Sequence, residues 1–414
     1  MAFILIMETE AHVISPAAKP AINETVVIIL LAAINFTHIL DFVIMAPLNP
    51  VLKSVFFIST REFSFLVSAY TLSAGVSGII SSFFIDRFDR KTALIGLYAG
   101  FMISNLCCAL APDYIIFLIC RVIAGFFGGI LGALIFSIIG DVVPPERRGR
   151  ATGLVMAAFS AASVIGVPLG LALANNFSWN APFMMITGVS GVVLVFCFIF
   201  FPSLTSHITA IKTPPLENII SVLRTPNLQW GLFFTVILTM AGFTVVPFIS
   251  DYLVANVGLD KKTELPLVYL FGGLATVVSG PIVGRLADKF GKQKVFVVAG
   301  IISVIPMLLI VNLPPVSTAV ALVCTTIFFI FFGARFVPAM ALITGSVGHK
   351  QRGSFMSINS SVQQLSSAVG VFGAGMIISN TVTGELVNFN IVGALAAVAT
   401  IACVLISYKI KQVS

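Results

Sequence analysis

The residues best placed for chemistry lie in the first apolar stretch of this 414-residue chain. Asn35, His38 and Asp41 follow one another at i, i+3 and i+6, a spacing expected to gather them near one face of a helix. Their neighbours are apolar, and Asp41 is followed by Phe42, Val43, Ile44 and Met45. An ionisable group at such depth is costly and marks a functional site by default, and a carboxyl there is a candidate proton carrier. The competing reading of Asp41 is a structural ion pair, and that of His38 a satisfied interhelical hydrogen bond. Arg121 lies in the fourth stretch, in Leu118-Ile119-Cys120-Arg121-Val122-Ile123-Ala124-Gly125. An arginine there needs a partner, water, or a reach to headgroups beyond Pro112-Asp113. Arg335, in Phe332-Gly333-Ala334-Arg335-Phe336 before Pro338, is a candidate for an anionic or hydroxyl-rich substrate group. Its rival role is an ion pair with Asp251 or another carboxylate.

Two polar stripes extend this set. Tyr70, Ser73 and Ser77 recur at helical spacing in the second stretch, and Asn359, Gln363 and Ser366, with Gln364 alongside, in the eleventh. Hydroxyls and amides in membrane helices usually bond neighbouring helices, so substrate contact competes with packing at each. The resulting assignment makes Asp41 and Arg121 the proton-coupling pair. Asn35, His38, Tyr70, Ser73, Arg335, Asn359 and Gln363 then line the substrate cavity.

The elements that position these groups follow from composition. Hydrophobic residues make up 58% of the chain and charged residues 9%, against roughly 25% charged in a soluble domain. A bilayer accommodates that surface, and each spanning helix needs roughly 20 apolar residues. Twelve spans are expected near 25–48, 62–84, 92–111, 114–140, 149–174, 181–202, 228–252, 264–286, 293–312, 317–345, 353–379 and 386–408. Pro112-Asp113, Pro144-Pro145-Glu146, Asn175-Asn176 and Pro314-Pro315 mark breaks between them. The Met1–Met7 run is too short to span, and it lacks the flanks of a signal peptide.

The chain repeats itself. Asp86-Arg87-Phe88-Asp89-Arg90-Lys91 matches Asp288-Lys289-Phe290-Gly291-Lys292-Gln293-Lys294 about 202 positions later, and Arg147-Arg148-Gly149-Arg150 matches Lys350-Gln351-Arg352-Gly353 about 204 later. Similar offsets imply two six-helix halves in parallel repeat, about an axis along the membrane normal. The expected layout is a tail over 1–24, one half over 25–202, a linker over 203–227 with Pro214-Pro215 and Pro226, the second half over 228–408, and a tail over 409–414. With the N-terminus inside, 17 of the 23 basic residues, Lys19, Lys212 and Lys350 among them, fall on the cytoplasmic side. Only Lys53, Arg61, Lys261 and Lys262 fall outside, so both termini are expected in the cytoplasm of a multi-pass plasma-membrane protein, the inner membrane if the cell is bacterial. The net charge of +7 then reflects topology and anionic lipid rather than nucleic acid.

These residues resemble a known family, the major facilitator superfamily, over about 25 to 410. Its loop signature is similar to G-x-x-x-D-[RK]-x-G-[RK]-[RK]. The second copy fits with Gly284, Asp288, Lys289, Gly291 and Lys292. In the first, Asp86, Arg87, Arg90 and Lys91 fit, whereas Ser82 and Asp89 replace glycine. Asp86 and Asp288 are expected to pair with basic residues and latch the cytoplasmic side shut, the bland alternative being a topology signal alone. Arg121 and Gly125 resemble the R-x-x-x-G element of proton-linked exporters, and the resemblance implies that helices one and four line a central cavity. Gly166-Val167-Pro168-Leu169-Gly170 resembles the fifth-helix motif of drug antiporters but has a residue between Gly166 and Pro168 and Leu171 where the last glycine stands. That is closer to sugar and metabolite exporters, and a proline kink is expected there.

No Walker loop, G-x-G-x-x-G, H-E-x-x-H or G-x-S-x-G element occurs, and Cys107, Cys108, Cys120, Cys197, Cys324 and Cys403 lack metal-ligand spacing. The expectation is therefore an all-α membrane protein, not an enzyme, without cofactor or metal. It acts as a monomer that exports a small organic compound by proton antiport. A proton-independent sugar or metabolite exporter, an importer of the same fold and a transport-dead sensor or scaffold stay open.

Overall fold

A computed structural model describes residues 23–205, 208, 215–348 and 352–413. The Met1–Met7 run, Lys19, Lys212, Pro214 and the Lys350-Gln351 pair lie outside them. The first half opens with α1 (Glu24–Val43), whose N-terminus is capped by the Asn23 carboxamide accepting from the Val26 amide, and passes through Ile44 into α2 (Met45–Phe56). The first span thus runs about two turns beyond the expected end at 48. Pro47 sits in the first turn of α2, where its missing N–H costs nothing, and buried Leu48, Val51 and Leu52 hold the helix onward. Then come α3 (Thr60–Ser81), with a Ser59/Glu62 capping box, α4 (Arg90–Ala109) and α5 (Tyr114–Val142). The fifth span is broken into α6 (Pro145–Ala161) and α7 (Val167–Asn176), and α8 (Ala181–Phe200) completes the half.

A short helix α9 (Pro215–Arg224) leads to the second half. Its spans are α10 (Pro226–Phe243) with α11 (Ile249–Tyr252), then α12 (Leu265–Phe290), α13 (Lys292–Ile310), α14 (Thr318–Gly345), α15 (Arg352–Ile377) and α16 (Phe389–Ser407). A two-residue hairpin of β1 (Ser379–Asn380) and β2 (Leu386–Val387) joins the last two. Eleven of these spans are long and apolar enough to cross a membrane. The twelfth, α15, is 26 residues long and richer in Ser, Asn and Gln. The fold is the twelve-helix arrangement expected, with apolar side chains such as Phe198, Val298, Ile305 and Leu405 exposed on its rim.

The turn between α6 and α7 is a π turn over Ala162–Gly166, closed by the Val167 amide on the Ala162 carbonyl. Pro168 has no amide to continue the normal ladder, so the chain widens by one residue there. A Cβ on Gly166 would stand 2.6 Å from the Leu40 side chain, and one on Gly170 2.6 Å from Ile44, so both glycines let this kinked span lie against α1 and its continuation. The loop repeats also have different backbones. Gly291 has φ +95°, whereas Asp89, its counterpart, has φ −56° and N-caps α4, accepting from the Lys91 amide and, at 2.7 Å, from the Leu204 amide beyond α8. The first copy thus trades glycine's left-handed freedom for a cap that anchors the end of the half.

Small residues set the closest approach in the first half. A Cβ on Gly125 would stand 2.2 Å from the Tyr70 carbonyl oxygen, and one on Gly129 2.1 Å from that of Ala74. Backbone meets backbone there, the close approach that small residues permit in membranes. Gly125→Ala is expected to push α5 from α3 and destabilise the protein by about 2 kcal/mol, the scale of overpacking in a tight interface. Thermal unfolding of the purified protein checks this, and an unchanged midpoint would refute it.

One apolar cluster runs through the first half and into the second around Phe248, Leu265, Phe328, Val371 and Phe389. A separate cluster around Phe234, Phe296, Leu342, Phe355 and Cys403 serves the rest of the second half. The two halves therefore share a core on the face away from the Asp86 and Asp288 loops, and keep separate cores toward the face that carries those loops, called here the basic face.

Candidate functional site

Asp41 and Arg121 form an ion pair at the centre of the first half. Arg121 Nη1 donates to Asp41 Oδ1 at 2.6 Å, and both side chains are wholly buried. α1 brings the carboxylate and α5 the guanidinium. Tyr70 of α3 completes the site, its ring under the guanidinium at 4.2 Å and stacked on Phe42. A cation over an aromatic face in a desolvated place gains about 2 kcal/mol. Arg121 Nε and Nη2 have no partner among the described residues, and the Tyr70 hydroxyl faces the Asp41 carboxylate. The pair thus lies in a buried place where the guanidinium retains spare hydrogen-bonding capacity.

His38 joins this interior. Its ring meets Phe101 of α4 edge-on, and both ring nitrogens lack a partner among the described residues. A Cβ on Gly128 would fall 2.8 Å from Tyr70 Oη and 2.9 Å from His38 Nε2, so that bare position on α5 is what admits both groups. Asn35 parts company with them. Its amide donates to the Val155 carbonyl of α6 at 2.9 Å. Six residues turn a helix by about 600°, so Asn35 and Asp41 diverge by about 120°, and the single polar face expected of the three is split. Arg121 does not reach to headgroups; it is spent on Asp41.

The stripes resolve mostly into packing. Ser73 donates to the Val122 carbonyl at 2.7 Å, tying α3 to α5, and Ser77 to its own helix at Ala74. Asn359 accepts from Thr235 Oγ1 at 2.6 Å, tying α15 to α10. Gln363 is half-buried. Arg335 is 1% exposed and donates to Thr400 of α16 at 2.8 Å. Among the described residues it pairs with no carboxylate, and Asp251, the rival partner, pairs with Lys53.

That Lys53–Asp251 pair is the site sequence reasoning missed. Lys53 Nζ lies 2.6 Å from Asp251 Oδ2 and donates to Thr60 Oγ1 at 2.9 Å, and Thr60 donates to Asn380 Oδ1 at 2.7 Å. Asn49 donates to the Pro247 carbonyl at 3.0 Å. Lys53 therefore does not stand free in a loop, as its sequence position suggests; α2 carries it to the interface, with its side chain 14% exposed. Both Asn49–Pro247 and Lys53–Asp251 span 198 positions, near the repeat offset. Equivalent helices face each other across a pseudo-twofold axis, so opposite charges at nearly equivalent positions were the available signal.

The opposite, basic face is arranged differently. Arg90, 3% exposed, pairs with Asp86 and Asp141 at 2.8 Å each, all within the first half. Arg87, Asp288 and Lys289 are exposed, Lys292 is half-buried, and Gly284 stands clear of close neighbours. Among the described residues no ion pair joins the halves on this face.

Comparison with known proteins places this geometry. The family model described as Major Facilitator Superfamily matches residues 31–371 and 262–411. A Bacillus subtilis (strain 168) protein named as an MFS-type transporter, YceJ, is 24% identical over 345 residues, covering 82% of this chain and 86% of the relative. A Helicobacter pylori (strain ATCC 700392 / 26695) protein named "Probable sugar efflux transporter" is 25% identical over 271 residues, covering 65% of this chain and 67% of the relative. The crystal structure of a D-xylose-proton symporter superposes with a TM-score of 0.74 at 17% identity, covering 92% of this chain and 97% of that one.

Proposed function

The chain belongs to the Major Facilitator Superfamily and is a transporter rather than an enzyme; from that premise we propose that it exports a small organic compound in exchange for protons. The Asp41–Arg121 pair carries this reading: two opposite charges wholly buried within one half and flanked by Tyr70 and His38. Asp41 is the proposed proton carrier and Arg121 its partner, the pair formed in one state of the cycle and broken in the other. Alternation between the two forms, coupled to rocking of the halves about a central site, moves protons inward as substrate moves outward. The Lys53–Asp251 network closes one side while the other is free to open. Uptake of a compound panel into inside-out proteoliposomes, with and without an inward-acidic pH gradient, tests the reading. Gradient-driven accumulation supports it, and transport indifferent to the gradient overturns it.

The proton-independent alternative draws on one observation, the sugar-efflux name of the Helicobacter pylori relative. Gradient-insensitive sugar movement in the same vesicles is its signature.

Orientation follows the charge bias, with the basic face in the cytoplasm of a plasma-membrane protein and both termini beside it. A cysteine placed at Lys261, in the loop where Asn175 bonds the Lys261 and Lys262 carbonyls, is expected to react with an impermeant maleimide from outside intact cells. Strong outside labelling at Lys212 instead would invert the topology.

A further inference from the structure

Every other deeply buried cation described in this protein has a carboxylate. Arg121 has Asp41, Arg90 has Asp86 and Asp141, and Lys53 has Asp251. Arg335, fully within the membrane span α14, has none. Its surroundings are the Phe332 and Phe336 rings, at 4.8 and 5.7 Å from the guanidinium carbon, and the Thr400 hydroxyl, which donates its own proton to the Ala396 carbonyl. Among the described residues no carboxylate pairs with it. From residue 289 to the C-terminus the sole acidic residue is Glu385, in the hairpin between α15 and α16. Asp251 is engaged, and Asp288 is exposed on the basic face.

The free part of the guanidinium is specific. Thr400 takes Nη1, while Nε and Nη2 are buried and unpartnered among the described residues. Those two nitrogens form one edge of the planar fork, with two parallel N–H groups that match a carboxylate bidentately. The edge lies beside the bare backbone of α10. A Cβ on Gly242 would stand 3.0 Å from the Phe332 ring and 3.5 Å from Arg335 Nη2. The next residue, Phe243, packs on Phe42 of α1 across the interface between halves, and Phe42 stacks on Tyr70 of the coupling site. Arg335 is therefore one helix-width from the plane where the halves meet, about 15 Å from the basic end of α14. A hydroxyl could fill a donor there, but it brings no charge to offset a buried guanidinium.

We infer that Arg335 receives a carboxylate of the transported compound through its Nε/Nη2 edge, so that the substrate class is an organic anion rather than a neutral sugar. The inference rests on the transporter reading above and not on proton coupling. Arg335 provides the missing counter-charge site in the second half, and Phe332, whose ring fills the place a Cβ on Gly242 would take, forms with Phe336 the apolar wall that gives way to the substrate body.

Thermal unfolding of the purified full-length protein, titrated with benzoate and lactate, with benzamide and lactamide as neutral twins, and with chloride and D-xylose, tests it. At least one carboxylate is expected to raise the unfolding temperature saturably while its amide does not. Arg335→Gln is expected to raise the half-saturating concentration about tenfold or more, the factor for losing a charged hydrogen-bond pair. Should Arg335→Gln fail to fold, Arg335→Lys decides, because it keeps the charge and loses the fork; weaker carboxylate stabilisation is expected and an unchanged half-saturation overturns the inference. Stabilisation by D-xylose or the amides alone, by chloride as strongly as by carboxylates, or by no carboxylate at all overturns it too. A carboxylate response in protein whose transport ignores the pH gradient refutes the coupling reading and leaves this inference standing, so the two failures are separately visible.

Discussion

Asp41→Asn is expected to abolish pH-driven transport while substrate counterflow persists. Counterflow exchanges labelled for unlabelled substrate and needs no net proton movement, whereas accumulation against a gradient draws its energy from the proton. The amide keeps the size and one hydrogen bond to Arg121 but can neither carry a charge nor release a proton. Arg121 makes the stronger structural claim. Arg121→Ala leaves Asp41 wholly buried without its partner, an uncompensated charge of the kind that costs about 3–5 kcal/mol, relieved only if the carboxyl takes up a proton. Arg121→Lys retains the charge but gives up the planar face over Tyr70, so it is expected to transport better than Arg121→Ala and worse than the wild type. Accumulation and counterflow measured side by side in proteoliposomes separate these outcomes. Gradient-driven accumulation by Asp41→Asn at the wild-type level would remove Asp41 from coupling, and the facilitated-export alternative would take its place.

Breaking the Lys53–Asp251 pair is expected to open the face it closes. Asp251→Asn leaves Lys53 among groups chosen for a carboxylate, and Lys53→Ala leaves Asp251 with only the weak 3.4 Å contact from Thr60. Losing one member of a nearly buried pair costs about 3 kcal/mol, roughly a hundredfold in the balance between a state closed on that face and one open there. The reciprocal change Lys53→Asp with Asp251→Lys restores the pairing and is expected to recover most of that balance, which neither single change does. The reporter is the reaction rate of an impermeant maleimide with a cysteine at Asn49, whose amide bonds the Pro247 carbonyl across the same seam. Faster labelling in both single variants and near wild-type labelling in the swap is the expected pattern. Equal rates in all four proteins would mean that the pair does not hold the face closed.

Several features needed only the linear sequence. Twelve spans follow from runs of apolar residues near 20 long, the length a helix needs to cross the bilayer with its backbone satisfied within the segment. The duplication is legible because charged loops between membrane helices are short and their residues cannot drift freely. Arg121, Asp41 and Arg335 stand out because an ionisable residue in a membrane span is rare enough to be read one at a time. The first span continues past the expected end at 48, because Pro47 falls in the first turn of α2 and the buried Leu48, Val51 and Leu52 carry the helix on.

The partners of those residues were decided by the tertiary structure alone. Spacing along α1 cannot say that Asn35 faces Val155 while His38 faces Phe101 and Gly128, because the direction of a side chain matters only once neighbouring helices surround it. Sequence position made Asp251 a candidate partner for Arg335, and only the packing of α2 against the span that holds it paired it with Lys53 instead. Hydrophobicity is a property of each segment by itself and sets which segments enter the membrane. An ion pair or a hydrogen bond falls off within a few ångström, so it depends on the relative placement of segments 80 to 198 residues apart, and that placement exists only in the folded chain.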